Sequence, residues 1–150
     1  MRRAAVLLGV GASTAVVALA GSAVTGATAV GTAAPGAAPT NLGAVLVGGN
    51  EVPGPGDPDG WGLADVSVDG REVCWRISVR GVGPITAAHI HPGPAGVSGP
   101  VVVPLDPFRQ GCVDAPRRTA RFIAEHPTQF YVNVHNAGFP SGALRGQLEP

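Results

Sequence analysis

The chain has 150 residues, a formal net charge of zero and 13% charged residues, which leaves room for a single domain with a sizeable apolar core. Two of its ten basic residues, Arg2 and Arg3, lie at the N-terminus, so residues 41–150 carry eight arginines against ten acidic residues and a net charge of −2. The arginines form no basic stripe, and this composition excludes a typical nucleic-acid-binding protein.

The N-terminal segment is typical of a secretory signal peptide. Arg2 and Arg3 precede an apolar run from Ala4 to Ala20, and no further charged residue follows until Glu51. We predict a signal peptide in residues 1–34, cleaved at one of several small-residue sites, and a linker over residues 35–40. The alternative is an uncleaved anchor helix, which would be the chain's one contact with a membrane; the glycines in the run argue against it.

The remainder of the chain predicts a small all-β domain. Apolar residues alternate in short runs between turns rich in Gly and Pro, and Asp69-Gly70 is a hairpin signal. Residues 106–116 are expected to be irregular, and residues 117–126 to form one short helix. We expect an antiparallel β-sandwich or barrel of about seven or eight strands, at residues 41–47, 61–68, 73–80, 85–91, 101–105, 129–136 and 143–149.

The two cysteines, Cys74 and Cys112, predict a disulfide in an exported protein. A metal site built on the pair is the weaker alternative, because the two lie far apart in sequence and the chain has no other cysteine. Alternation places Val73 and Trp75 on the core face of their strand and Cys74 on the outer face. The disulfide is therefore expected to attach a surface loop to the outside of the sheet.

Three histidines are the candidate functional residues. His89 and His91 stand at positions i and i+2 at the end of one strand, so both point to the same face. His135 lies on another strand, where it shares a face with Tyr131 and Asn133 that we expect to be the wetter one. If the two strands approach, three imidazoles converge, and such a set suits zinc or copper.

The favoured interpretation of these histidines is nevertheless structural. A loop dense in Gly and Pro follows His91, and such loops leave many backbone groups that need hydrogen-bond partners. Histidines at the base of the loop can supply them. The sequence contains no convincing catalytic set. Glu51 and Arg145 are expected to form a solvated surface ion pair, and Trp61 is a weak candidate for carbohydrate binding.

Several motifs together resemble the CHRD domain, named for chordin and also found alone in secreted bacterial proteins. The resemblance runs in order over residues 41–150, with Ala143 as a departure where an acidic residue is usual. It implies an extracellular β-sheet domain and says little about activity. The residues that carry it are Glu51-Val52-Pro53, Ala88-His89-Ile90-His91 with Gly93, Gly96 and Gly99-Pro100-Val101-Val102, Tyr131-Val132-Asn133-Val134-His135 and Gly142-Ala143-Leu144-Arg145-Gly146-Gln147-Leu148.

The sequence therefore predicts a secreted, non-catalytic interaction or structural module without a cofactor. Its partner would be an extracellular protein or a cell-envelope ligand, and not nucleic acid. The alternative is a zinc- or copper-binding protein, or a metal-dependent enzyme, that uses His89, His91 and His135.

Overall fold

The computed structural model describes residues 38–150. The predicted signal peptide in residues 1–34 lies outside this part of the chain, as does the beginning of the predicted linker. Within residues 38–150 no helix has both the length and the apolar character needed to cross a membrane.

Eight antiparallel strands form a single sheet that curls into a half-barrel, in the order β5-β4-β7-β8-β1-β2-β3-β6. This confirms the all-β, antiparallel prediction, including its one short helix. The elements are β1 (Thr40–Val47), β2 (Trp61–Asp69), β3 (Glu72–Arg80), β4 (Ile85–Pro92), β5 (Val103–Pro104), β6 (Gln110–Asp114), α1 (Arg117–Glu125), β7 (Phe130–Asn136) and β8 (Leu144–Gln147).

The core lies on one face of the sheet, because successive residues of a strand point to opposite faces. In the β2–β3 hairpin, Val66 and Val68 are buried together with Trp75 and Ile77, as the alternation predicts. The helix α1 adds Ala120 and Ile123 to the same cluster. Each fully buried Val or Ile side chain of this cluster stabilises the fold by about 1.5–3 kcal/mol relative to an exposed one.

The prediction that residues 106–116 are irregular is wrong for residues 110–114. These five residues form strand β6, which pairs with β3 at the edge of the sheet and places Cys112 directly opposite Cys74. The two cysteines form the predicted disulfide, with their Cα atoms 4.0 Å apart. The disulfide therefore attaches an edge strand, and not a loop, to its neighbour.

The strand predicted at residues 101–105 is shorter than expected. Only Val103 and Pro104 form β5, although the N–H groups of Val102 and Leu105 also donate to carbonyl oxygens of β4. Pro104 has no N–H group to extend a ladder. The result is a long connection, residues 93–102, between β4 and β5, which we call the Gly/Pro loop.

Candidate functional site

The face of the sheet opposite the core carries a grid of polar and aromatic side chains on β4, β7 and β8. One row across these strands is His91, Tyr131 and Gln147, and the next row is His89, Asn133 and Arg145. His135 lies two residues beyond Asn133 on β7, and is therefore a diagonal neighbour of His89.

This face of the sheet is largely shielded from solvent. The prediction that it is the more solvent-exposed face is therefore wrong for most of its residues. Tyr131 is 3% exposed, Asn133 is 4% exposed and Arg145 is 1% exposed, while His89 and His135 are half-buried. The cause is the Gly/Pro loop, which folds back over β7 and β8. The periodicity of a strand shows which residues share a face, but it does not show whether a distant loop covers that face.

Arg145 is the principal link between the sheet and the loop. Its guanidinium group donates to the carbonyl oxygens of Pro94 at 3.0 Å and Val97 at 2.8 Å. The neighbouring Gln147 donates to the carbonyl oxygen of Gly93 at 3.0 Å. Loop carbonyls that would otherwise be buried without donors are thereby satisfied.

At Gly99 the loop lies directly against β4 and β7. Its N–H group donates to the hydroxyl oxygen of Tyr131 at 3.2 Å. A Cβ atom at this position would overlap the carbonyl oxygen of Pro92, which belongs to the backbone and has no rotamer to change. A residue with a side chain at position 99 would therefore push the loop off the sheet.

His91 uses both of its ring nitrogens within the protein. Nδ1 donates to the carbonyl oxygen of Gly99 at 2.9 Å, and Nε2 lies 3.1 Å from the side-chain oxygen of Asn133. The ring also stacks on Tyr131, with ring centroids 4.9 Å apart and an angle of 2° between the planes. This is the loop-supporting arrangement that the structural interpretation of the histidines expects.

His89 and His135 face each other beside this network. His89 Nδ1 lies 3.3 Å from His135 Nε2. On the other side of its ring, His135 Nδ1 is 3.1 Å from the carbonyl oxygen of Pro140, which can only accept. Nδ1 of His135 therefore carries a proton, and in the neutral ring the lone pair of Nε2 points toward His89.

Burial lowers the pKa of both half-buried histidines from the ordinary value of 6.5. For His89, the charges of His135 and then His91 lower the pKa further, and a hydrogen bond that the ring donates to Asn133 opposes them. For His135, burial lowers the pKa most. The hydrogen bond to Pro140 raises the pKa, and the charge of His91 lowers it. Both rings are thus held toward the neutral form, in which a ring nitrogen can accept a proton or bind a cation.

Glu51 and Arg145 do not form the surface ion pair that we expected. Both side chains are buried, and within residues 38–150 the ion pair closer than 4.0 Å joins Arg121 to Glu125. Burial raises the pKa of Glu51 to about 7, although the charge of Arg145 and hydrogen bonds from Asn133 and Val52 lower it. The Glu51 oxygen Oε1 is buried without a hydrogen-bond partner.

The Glu51 carboxyl group lies against Gly142. A Cβ atom on Gly142 would be 2.5 Å from the carboxyl carbon, and the backbone of Gly142 has a φ of +145° that other residues rarely adopt. Sequence reasoning missed this contact, because it joins the segment after β1 to the turn before β8. The available signal was that Glu51 and Gly142 both belong to the motifs shared with a known domain family.

Trp61, the candidate for carbohydrate binding, lies far along the sheet from the histidines, on β2. It is 47% exposed, and the guanidinium carbon of Arg80 is 5.9 Å from the centre of its ring. The structure thus brings the three histidines together and leaves Trp61 apart from them.

Comparison with known protein families identifies the family of this chain. A model of the CHRD domain matches residues 42–148, which include every residue of the site and the whole sheet except the first two residues of β1. No curated protein and no solved structure matches the chain. Since the family model covers most of the sequence, the chain belongs to the CHRD domain family.

Proposed function

We propose that this protein is a secreted, non-catalytic CHRD module that displays its Gly/Pro loop to a partner outside the cell. The partner would be an extracellular protein or a cell-envelope ligand. The observation that carries the proposal is that the polar groups beneath the loop are engaged in holding it, while apolar side chains point outward from it.

The inner side of the loop is fixed at several points. Arg145, Gln147, His91 and Tyr131 each make a hydrogen bond to its backbone. A loop that is already ordered loses little conformational entropy on binding, which favours recognition. These four side chains thus give the loop a defined shape.

The outer side of the loop presents Val97 and Val101, which are 49% and 48% exposed. Exposed apolar side chains on a rigid loop are a common component of interaction surfaces. The Cys74–Cys112 disulfide supports a location outside the cytoplasm, because disulfides persist in oxidising compartments.

The loop assignment is tested with the double variant Val97→Asp/Val101→Asp. Labelled protein is incubated with washed cells, with cell-surface protein extracts and with cell-wall polysaccharide, and its retention is measured. We expect saturable retention of the unaltered protein and a loss of about 10-fold or more in affinity for the double variant, since 1.4 kcal/mol of lost contact corresponds to a factor of ten.

Leu63→Asp is the control. Leu63 is 47% exposed on β2, which β1 separates from β8, so a change from an apolar to an acidic side chain there should leave retention unaltered. Equal retention of the double variant and the unaltered protein would refute the display role of the loop. Loss of retention in Trp61→Ala alone would assign binding to Trp61 instead.

Export is tested separately. The protein is expressed with its own N-terminal segment in a bacterium, and the material outside the cytoplasm is analysed by intact mass and N-terminal sequencing. We expect a mature N-terminus within about the first 40 residues, as for a cleaved signal peptide. Full-length protein retained in the membrane would support the anchor alternative.

A further inference from the structure

We infer that His89, His91 and His135 bind a divalent transition-metal ion, Cu²⁺ or Zn²⁺, held primarily between His89 and His135. This site is separate from the outward face of the Gly/Pro loop. The inference goes beyond the proposed display function and does not depend on it.

The separation of the two facing nitrogens fits a shared ion. Zinc–imidazole bonds are about 2.0–2.1 Å long, so two such ligands at a tetrahedral angle lie about 3.3–3.4 Å apart. His89 Nδ1 and His135 Nε2 are 3.3 Å apart in the structure. An ion bound by both nitrogens would replace the contact between the two rings, and His89 would then carry its proton on Nε2.

The other nitrogen of His135 makes the hydrogen bond that a metal-binding histidine needs. Its Nδ1–H donates to the carbonyl oxygen of Pro140 at 3.1 Å. Metal-bound histidines almost always donate their second N–H to a carbonyl or carboxylate, which fixes both the tautomer and the orientation of the ring. His135 is thus oriented with Nε2 available as a ligand.

His91 is placed to act as a third ligand. One ligand atom from each of the three histidines lies within 4.8 Å of the other two. To reach an ion between His89 and His135, the His91 ring must give up the contact between Nε2 and Asn133. We therefore expect His91 to contribute less to affinity than the other two residues.

The donor set and its exposure favour a particular class of ion. All three donors are imidazole nitrogens, which suit copper and zinc, whereas Mg²⁺ and Ca²⁺ prefer oxygen ligands. His89 and His135 are half-buried, so an ion can reach them from solvent. By the usual order of affinities, Cu²⁺ should bind more tightly than Zn²⁺.

The test is a calorimetric titration of the purified protein with CuCl₂ and with ZnCl₂. We expect one ion per chain, and a loss of affinity of about 100-fold or more in His89→Gln and in His135→Gln. The loss of a ligand should exceed the loss of a residue that only hydrogen-bonds to a ligand, which typically lowers metal affinity by about 10–100-fold. For His91→Gln we expect a smaller loss of about 10-fold. His126→Gln, at an exposed position after α1, is the matched control and should bind as the unaltered protein does.

Two further measurements separate metal binding from a purely structural histidine pair. In the Cu²⁺ complex, electron paramagnetic resonance should show coupling to imidazole nitrogens, which His135→Gln should reduce. Added Zn²⁺ should raise the melting temperature of the unaltered protein but not that of His135→Gln, because an ion that binds only the folded state stabilises it.

The absence of saturable binding of either ion, or binding that persists unchanged in both His89→Gln and His135→Gln, would overturn the inference. Binding lost in those two variants but unchanged in His91→Gln would overturn the assignment of the third ligand. Circular dichroism of each variant establishes that the fold is retained, so a loss of binding is not mistaken for unfolding.

Discussion

The guanidinium group of Arg145 lies over the ring of Tyr131, with the guanidinium carbon 3.4 Å from the ring centre. The same ring also stacks on His91, and its hydroxyl group accepts a hydrogen bond from the backbone of the Gly/Pro loop. A buried cation thus connects the outer face of β8 to β7, β4 and the loop. Such an arrangement can be worth about 2 kcal/mol for the cation–aromatic contact when it is desolvated.

Arg145→Met is expected to lower the free energy of unfolding by about 2–4 kcal/mol, because the carbonyl oxygens of Pro94 and Val97 lose their donor. Arg145→Lys should recover only part of the loss, since an ammonium group lacks the planar fork of donors. Urea denaturation measures both. Arg80→Met, at the exposed pair with Trp61, is the control and should change stability by less than about 0.5 kcal/mol.

Glu51 should make stability depend on pH. In the folded state burial raises the pKa of Glu51 to about 7, whereas the ordinary pKa of a glutamate is 4.5. Its contribution to stability is therefore fully present below pH 4.5 and is lost as the pH rises through about 7. Relative to Glu51→Gln, the unaltered protein should become less stable over this range.

The comparison with Glu51→Gln is necessary because the histidines act in the opposite sense. The pKa values of His89 and His135 are lowered from 6.5, so their contribution is present above that pH and is lost as the pH falls. Denaturation curves at several pH values isolate the Glu51 effect. Glu125→Gln, on the exposed side of α1, should leave the trend unchanged, and an equal trend in both variants would contradict the prediction.

Gly142→Ala is expected to lower the free energy of unfolding by about 2–4 kcal/mol, because the new Cβ atom meets the Glu51 carboxyl group in a strained backbone conformation. Gly138→Ala is the control, since the nearest atom to its Cβ would be 3.5 Å away. In the double variant Glu51→Ala/Gly142→Ala, the clash is removed. Strictly additive losses in that cycle would show that Glu51 is not the obstacle.

The Cys74–Cys112 disulfide closes a segment with a sequence separation of 38 residues. On the chain-entropy model, its loss should lower the free energy of unfolding by about 4 kcal/mol. Urea denaturation of Cys74→Ser/Cys112→Ser measures this. Reduced, unaltered protein should behave like the double variant; identical midpoints for the oxidised and reduced forms would count against the prediction.

Local patterns were sufficient to predict much of the sheet. Period-two alternation identified the buried residues of β2 and β3, as in Val66 and Trp75, because one face of a hairpin must be apolar. The helix α1 was predicted within one residue at its end, since Pro116 and Pro127 flank it. The cysteines indicated the disulfide because the chain contains just two.

Long-range contacts explain the parts that could not be predicted. Strand β6 has little apolar content, and its conformation comes from pairing with β3. Tyr131, Asn133 and Arg145 are buried by a loop whose path no local pattern encodes. For the histidines, spacing placed His89 and His91 on one face, but their proximity to His135 depends on the register between β4 and β7.

The outermost strands of the sheet have a consequence for association between copies of the chain. An exposed strand edge can recruit another chain and seed aggregation. Here one margin is the two-residue strand β5, which ends in a proline without a hydrogen-bond donor, and the other is the five-residue β6, fastened covalently to β3. Neither edge strand is long enough to pair extensively with a strand of another copy. The open sheet is therefore expected to resist edge-to-edge association although it does not close into a barrel.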